Sequence, residues 1–388
     1  MAHVVFVGLG FGGLYALRGL LDQAPEGLRV TAVDRRDRFV FTPLLYEYLV
    51  GELEPDVVAP PYDTLLPPGA VERIQAEARE VDVRAREVLL ADGRRIPFDV
   101  LVLAPGSTPA FHGVAGAEAH AFPFYSFDDA DRLKATLQMR AWAQGDQPVC
   151  VVGGGVVGIE LAFALAELLG GHGWRGTEPR VIVLEAMPEI LRLSSEGMRE
   201  RAKAKLAAKG IEVRTGVKVL EVDDRGVLFQ EGGREQRFEA AAVAWAAGIR
   251  PNPLLDALPA ERHGVHGLRV ERTLQLPGFP HVFVVGDAIS YPGRVTGEPL
   301  PDTAQAAVQE SEVCAANVRH WVEERLARET FQYTHLGDFL RVSGHEAIAD
   351  VKGVVLDGAA ASLARRAAYL FRLPAWAIRT AAIRQWLG

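Results

Sequence analysis

Residues 3–21, HVVFVGLGFGGLYALRGLL, and residues 149–169, VCVVGGGVVGIELAFALAELL, carry the same punctuation: a short apolar run, three spaced glycines, then a helical pattern. In the first copy the glycines are Gly8, Gly10 and Gly13, and a second apolar run, RVTAVD, ends in Asp34. In the second they are Gly153, Gly155 and Gly158, and after a looser loop, GGHGWRGTEP, the run RVIVLE ends in Glu185. Each copy reads as a βαβ unit that can take a dinucleotide. The first glycine permits the tight turn, the second lets backbone approach a pyrophosphate, and the third lets helix and strand pack closely. The helix N-terminus favours the anion, and the terminal acid stands where a ribose would donate to it. Two complete units predict two dinucleotides, one held permanently and one exchanged.

The rest of the chain says how the units are arranged. VDVRAREVLLADGRRIPFDVLVLAPGSTP reads as a strand excursion with a hairpin at Asp92-Gly93, then a buried strand ending at Ala104-Pro105-Gly106. Much later, HVFVVGDAIS supplies another apolar strand, ending at Gly286-Asp287. A doubly wound sheet binds its ligand at the C-terminal ends of its strands, so Gly106 and Asp287 join Gly8 in one site if the second unit is an insertion. The expected fold is α/β: two Rossmann-like domains, the second inserted in the first, with a small C-terminal region. The expected boundaries are 1–110 and 256–327 for the outer domain, 111–255 for the inserted one and 328–388 for the tail, with crossings at PGSTPAFHGVAG and AAGIRPNP. A chain of 388 residues has the length for this.

Composition removes several classes. A formal charge of -8 argues against a general nucleic-acid binder, which needs a basic surface. The two cysteines, Cys150 and Cys314, form no Cys-x-x-Cys, so no disulfide scaffold, zinc site or dithiol is expected, and no metal. The N-terminus enters a strand at once, with no secretory leader pattern, and no apolar stretch reaches spanning length.

Several segments together resemble type II NADH:quinone oxidoreductases, members of the two-dinucleotide, glutathione-reductase-like flavoprotein superfold. VDRRDRFVFTPLLYEYLVGEL matches the family's acid, basic and aromatic-x-Pro-Leu-Leu-Tyr segment through Asp34, Arg35, Pro43, Leu44, Leu45 and Tyr46. GGGVVGIELAFALAEL matches the second nucleotide motif including Glu160, VAWAAGIRPNP the return crossing, and PDTAQAAVQE the Ala-Gln-x-Ala-x-Gln segment. The resemblance covers nearly the whole chain. It implies FAD in the outer domain, with Gly8, Gly10, Gly13, Asp34, Arg35, Pro43, Leu44, Ala78, Gly106, Asp287 and Ala304 around it. NADH falls to the inserted domain, with Gly153, Gly155, Gly158, Glu185 and Gly248. Glu160, Gln305 and Gln309 are the expected catalytic residues, the two glutamines lining a quinone slot.

Each assignment has a plainer alternative. Gln305 and Gln309 share a helix face that solvent alone could explain. Glu160 is expected on the first turn of its helix, where an acid simply favours the N-terminus. Asp287 could be a helix cap. Glu185 should repel a 2′-phosphate, so NADH is expected over NADPH. Two departures stand out: Pro105 where the family usually has Thr, and Glu310 where many relatives have a second Gln.

From Gly358 onward no acid appears, while Arg365, Arg366, Arg372, Arg379 and Arg384 alternate with Tyr369, Phe371, Trp376 and Trp386. A helix over 362–372 is expected to present Leu363, Ala367, Leu370 and Phe371 on one face and Arg365 and Arg372 opposite. Such an end suits a surface of anionic lipid, or else a packing or homodimer contact. In the family this region attaches to the membrane, which implies a peripheral enzyme at its cytoplasmic face. LDGAAASLARRAAYLFRLPAWAIR resembles the plant and cyanobacterial branch, associated with prenylated naphthoquinone, so the acceptor is menaquinone, ubiquinone or a prenylated naphthoquinone. Two other readings remain: a soluble FAD/NAD(P)H reductase of a protein acceptor, and a flavin-bearing redox sensor. Sulfide:quinone reductase would require cysteines beside the flavin.

Overall fold

The computed structural model describes residues 2–143, 147–171, 181–262, 266–291 and 302–387; most of the loop GGHGWRGTEP lies outside them. The chain divides into two compact units. One comprises Met1–Val40, Ala59–Thr108 and Ile249–His335, the other Phe41–Val58, Pro109–Gly248 and Leu336–Gly388.

The first unit is built on a six-stranded sheet in the order Gln275–Leu276, Phe279–Val284, Val100–Leu103, His3–Val7, Arg29–Asp34, Glu72–Gln75. All pairs are parallel except the first. His3–Val7 is central, Val4 pairing with Val30 on one side and Val100 on the other. Strands covered on both faces read as unbroken apolar runs, and His3–Val7 and Val100–Leu103 are buried throughout. The Asp92-Gly93 hairpin joins Glu87–Leu90 to Arg95–Pro97 in a separate antiparallel sheet opened by Ala78–Asp82. Helix Ala304–Val322 packs along the first glycine helix, Phe11–Leu21.

The second unit has a five-stranded parallel sheet in the order Glu212–Thr215, Val181–Glu185, Val149–Val152, Ala242–Trp245, Phe122–Pro123. The second glycine helix, Val156–Gly171, buries Ile159, Leu161, Ala162, Phe163, Ala164 and Leu165. A helix buried on nearly every side carries no polar stripe, which is why its sequence is so uniformly apolar. A meander of Lys218–Asp223, Gly226–Glu231 and Arg234–Glu239 encloses a core around Val227 and Phe229.

The end of the chain is not a region by itself. A three-stranded sheet, Asp338–Ser343, Glu346–Val351 and Val354–Asp357, is roofed by the tail helix Gly358–Arg372 over a small core of Ala347, Ala349 and Ala361. Its first strand packs on the second glycine helix, which also carries helix Leu45–Val50. Phe41–Val58 and the tail therefore cluster with the inserted unit, whereas the expected boundaries placed residues 41–58 in the outer domain. The tail helix also starts earlier than expected, with the Asp357 carboxylate accepting from the Gly358 amide at 2.6 Å.

Candidate functional site

The two glycine turns are the same object built twice. Gly8 has φ +90° and donates its amide to the Val33 carbonyl at 2.8 Å; Gly153 has φ +113° and donates to Leu184 at 2.9 Å. A Cβ on Gly13 would stand 1.9 Å from the Gly8 carbonyl oxygen, and one on Gly158 would stand 1.9 Å from that of Gly153. Any side chain there would force the helix off the strand. At Gly10 and Gly155, by contrast, a Cβ would meet nothing within 4 Å. These glycines face open space beside a helix N-terminus, the cradle a pyrophosphate needs, and the first helix has no side-chain cap to compete with it. The residues present fit a dinucleotide in each unit.

The terminal acids tie each cradle shut. Asp34 is buried and accepts from the Leu9 amide at 2.7 Å and the Arg36 amide at 2.9 Å. Glu185 accepts from Gly154 at 2.5 Å and Met187 at 2.7 Å. The Tyr62 hydroxyl, donating to the Leu9 carbonyl at 2.9 Å, buttresses the first turn. Arg35 is exposed beside Asp34, Ala78 is half-buried at the start of its strand, and Gly248 has φ +118°.

Gly106 and Asp287 meet in the first unit. The Ser107 hydroxyl donates to Asp287 Oδ2 at 2.6 Å, and the amide and side chain of Asn252 donate to the Gly106 and Pro105 carbonyls at 3.1 and 3.2 Å. Thus Pro105, which lacks the donor and hydroxyl of the usual Thr, is followed two positions later by a hydroxyl at Asp287. Burial raises the Asp287 carboxyl above its ordinary range, opposed by the Ser107 bond. Glu310 lies beneath the Gly286-Asp287 turn, 3 % exposed, accepting from the Gly286 amide at 2.6 Å. Burial pushes Glu310 up to about 8; the Gly286 bond opposes this and Asp287 and Asp302 add to it. With Tyr291 and Thr303 these carboxylates line a small cavity.

Ala304 opens its helix behind Thr303, whose hydroxyl accepts from the Ala306 amide at 3.2 Å. Gln305 and Gln309 are held by one segment. Gln309 pairs with the Thr334 main chain in both directions at 2.9 Å, and Gln305 Oε1 accepts from the Tyr333 hydroxyl at 3.4 Å. A simple solvated face does not describe them.

In the second unit Glu160 is the fifth residue of Val156–Gly171, past the first turn where it was expected, so the plainer alternative of an acid favouring the helix N-terminus loses its support. It is buried and accepts from the Arg341 amide at 2.6 Å, and the Tyr46 hydroxyl hydrogen-bonds to it. Burial pushes Glu160 up to about 7, against the opposing charges of Arg365 and Arg341. Pro43 and Leu44 form a short turn leading into helix Leu45–Val50. Arg365 donates to the Pro43 carbonyl at 3.0 Å and to Glu47 at 2.5 Å.

That last contact shows which side of the tail helix is covered, a point the expected two-faced pattern left open. Arg365 is 3 % exposed, whereas Leu363 is 71 % and Phe371 81 % exposed, and Trp376 and Leu387 are exposed as well. The arginine turns inward because Glu47, buried in LLYEYLV, requires a cation; Leu363 and Phe371 lie on the outer surface, while Ala367 and Leu370 are half-buried. Glu47 and Arg341 escaped the sequence reading, as did the inward role of Arg365, although an acid inside LLYEYLV and an arginine inside DFLRVSG were available signals. Cys150 and Cys314 are both buried, in strand Val149–Val152 and helix Ala304–Val322.

Known proteins align with this architecture. The model of the pyridine nucleotide-disulphide oxidoreductase family matches residues 2–311. Demethylphylloquinone reductase NdbB of Synechocystis sp. is 33 % identical over 99 % of this chain and 95 % of its own length. The type II NADH:quinone oxidoreductase Ndh of Mycobacterium tuberculosis is 30 % identical over 92 % of this chain and 81 % of its own. Among solved structures, NDH2 of Plasmodium falciparum in complex with NADH superposes with a TM-score of 0.88 at 17 % identity, covering 100 % of this chain and 97 % of that one.

Proposed function

Because this chain belongs to the pyridine nucleotide-disulphide oxidoreductase family, and within it to the type II NADH:quinone oxidoreductases, we infer that it oxidises NADH at the expense of a quinone, with FAD as its resident cofactor. Bound FAD would supply the two-electron chemistry that links NADH oxidation to quinone reduction. The protein binds, orients and handles protons. Gly8, Gly10 and Gly13, with the N-terminus of Phe11–Leu21, hold the FAD pyrophosphate. Asp34 would stand toward the adenosine ribose, and Arg35, Ala78, Gly106, Asp287 and Ala304 belong to the same unit. Gly153, Gly155 and Gly158 hold NADH, with Gly248 at the return crossing. Glu185 accepts from the ribose hydroxyls and repels a 2′-phosphate, favouring NADH.

The observation that carries the reading is the doubled open cradle in a chain whose only two cysteines are buried singly. Two dinucleotides can be held, yet there is no dithiol to pass electrons onward. The same absence argues against sulfide oxidation. Quinone reduction consumes protons, and Glu160, held against Tyr46, carries one near neutrality. Gln305 and Gln309 supply donors and acceptors to the quinone. The likeness to demethylphylloquinone reductase, together with the tail motif, favours a prenylated naphthoquinone acceptor over ubiquinone.

No helix among the described residues is long and apolar enough to cross a membrane. The exposed Leu363, Phe371 and Trp376, with basic residues nearby, support attachment to the surface of an anionic bilayer, at the cytoplasmic face, where a lipid-soluble quinone is reached; the same surface suits a homodimer.

The test is an anaerobic absorbance titration with NADH, then with short-chain naphthoquinone and ubiquinone analogues. Bleaching of the flavin band followed by recovery is expected, fastest with the naphthoquinone. Bleaching without recovery by any quinone would transfer the assignment to a protein acceptor or a sensor.

A further inference from the structure

Burying a guanidinium costs several kcal/mol unless it is closely paired, and Arg365 is paired on three sides. Its Nη1 donates to Glu47 at 2.5 Å, its Nη2 to the Pro43 carbonyl at 3.0 Å, and its guanidinium carbon lies 4.7 Å from the Tyr369 ring centroid. One side chain thus closes the tail helix onto residues 43 and 47. Between these stands Tyr46, whose hydroxyl hydrogen-bonds to Glu160.

We propose that Arg365 is a positioning residue for Glu160: by gripping Pro43 and Glu47 it holds Tyr46 against the Glu160 carboxyl, and its charge governs whether that carboxyl keeps a proton. The proposal rests on the reading of Glu160 as a proton-holding group of quinone reduction.

A count of charges gives the reason. Facing Glu160 are Tyr46 and Glu47 from helix Leu45–Val50, Arg341 from strand Asp338–Ser343, and Arg365 and Tyr369 from the tail helix. Arg341 is shared by Glu52 at 2.8 Å and Glu167 at 2.9 Å, Arg366 lies 3.9 Å from Glu52, and Arg365 serves Glu47. The three guanidinium groups are matched by these three carboxylates, so an ionised Glu160 is an additional anion in a buried cluster. After burial, which raises Glu160, the charge of Arg365 is the strongest influence, and it acts to lower it. Removing that charge makes Glu160 hold its proton to higher pH. Merely loosening the packing admits water and does the opposite, returning Glu160 toward 4.5.

The experiment is an infrared pH titration of the purified FAD-loaded protein, following the protonated-carboxyl band identified by its loss in Glu160→Gln. In Arg365→Met the midpoint should rise by about one pH unit; in Arg365→Lys it should stay near the parent value. In Glu47→Gln, which removes a neighbouring anion, it should fall. The pH limb of flavin reoxidation by menadione should move with it. An unchanged or lowered midpoint in Arg365→Met, with the parent's circular dichroism and flavin spectrum, overturns the proposal. If Arg365→Met does not fold, Glu47→Gln decides: a fall supports the proposal, and no shift overturns it. Should the parent flavin not be reoxidised by any quinone, the functional reading fails, while the infrared midpoints still decide the role of Arg365.

Discussion

Replacing Glu310 by glutamine should make the protein more stable, and only at high pH. The glutamine oxygen can still accept from the Gly286 amide, so shape and hydrogen bond are kept while the titration is removed. Burial raises the Glu310 carboxyl from 4.5 to about 8 in the folded chain. A carboxyl raised on folding contributes stability that is complete below its unfolded value and is lost as pH climbs through the folded one. At about 1.4 kcal/mol per unit, the separation corresponds to roughly 5 kcal/mol at the alkaline limit, of which about 2 kcal/mol is lost between about pH 6 and pH 8. Urea midpoints of parent and variant, compared at both pH values, measure the difference without assuming a single unfolding step. Near pH 6 the two should be separated less, and near pH 8 the variant should gain about 2 kcal/mol more. Parallel pH dependences in parent and Glu310→Gln would refute the assignment of a buried, titrating carboxyl beneath the Gly286-Asp287 turn.

Other perturbations separate the remaining roles. Glu185→Ala should lower the NADH over NADPH ratio of kcat/KM by about tenfold, the worth of one well-placed charged hydrogen bond; an unaltered ratio removes Glu185 from specificity. Gln309→Ala, which frees the Thr334 main chain, should slow flavin reoxidation by quinone while NADH still bleaches the flavin, and loss of both steps would mark a purely structural residue. Glu160→Gln should abolish the fall in quinone reduction expected as pH rises through about 7, where the parent loses its proton; persistence of that limb assigns it elsewhere. Phe371→Ser with Trp376→Ser should weaken binding to anionic vesicles by tenfold or more, since each buried aromatic is worth about 2 kcal/mol. Unchanged vesicle binding accompanied by dissociation of a dimer would identify that surface as a subunit contact.

The two cradles were legible because their demands are local. A positive φ at Gly8, or a helix lying 1.9 Å too close for a side chain at Gly13, can be met by one residue type, and the strand and helix that need it are adjacent in sequence. That Gly106 and Asp287 belong with Gly8 followed from where the apolar runs stop, whereas the order of the strands was not read from the sequence. What escaped was long-range pairing. Nothing near Arg365 in the chain announces Glu47, 318 positions away, and an amphipathic pattern assigns an arginine to water by default. Leu363 and Phe371 do lie opposite Arg365, as the helical period expects, but only the Glu47 contact shows that their side is the exposed one. Glu160 was expected on the first turn of its helix and lies past it, and its partner Arg341 stands in a strand that the sequence reading did not single out.

The inward-facing arginine of the tail helix also limits how this protein can be trimmed. Deleting residues after Gly358 removes the exposed Leu363, Phe371 and Trp376, and it is the obvious route to a version without the proposed lipid contact. It also strips the guanidinium from Glu47 and leaves a carboxylate stranded among apolar neighbours, a loss of several kcal/mol in the unit that carries Glu160. A shortened chain that is inactive therefore says nothing about whether lipid is needed. The proposed attachment and the architecture lie on opposite sides of the same fifteen residues, and only substitutions on the outer side can separate them.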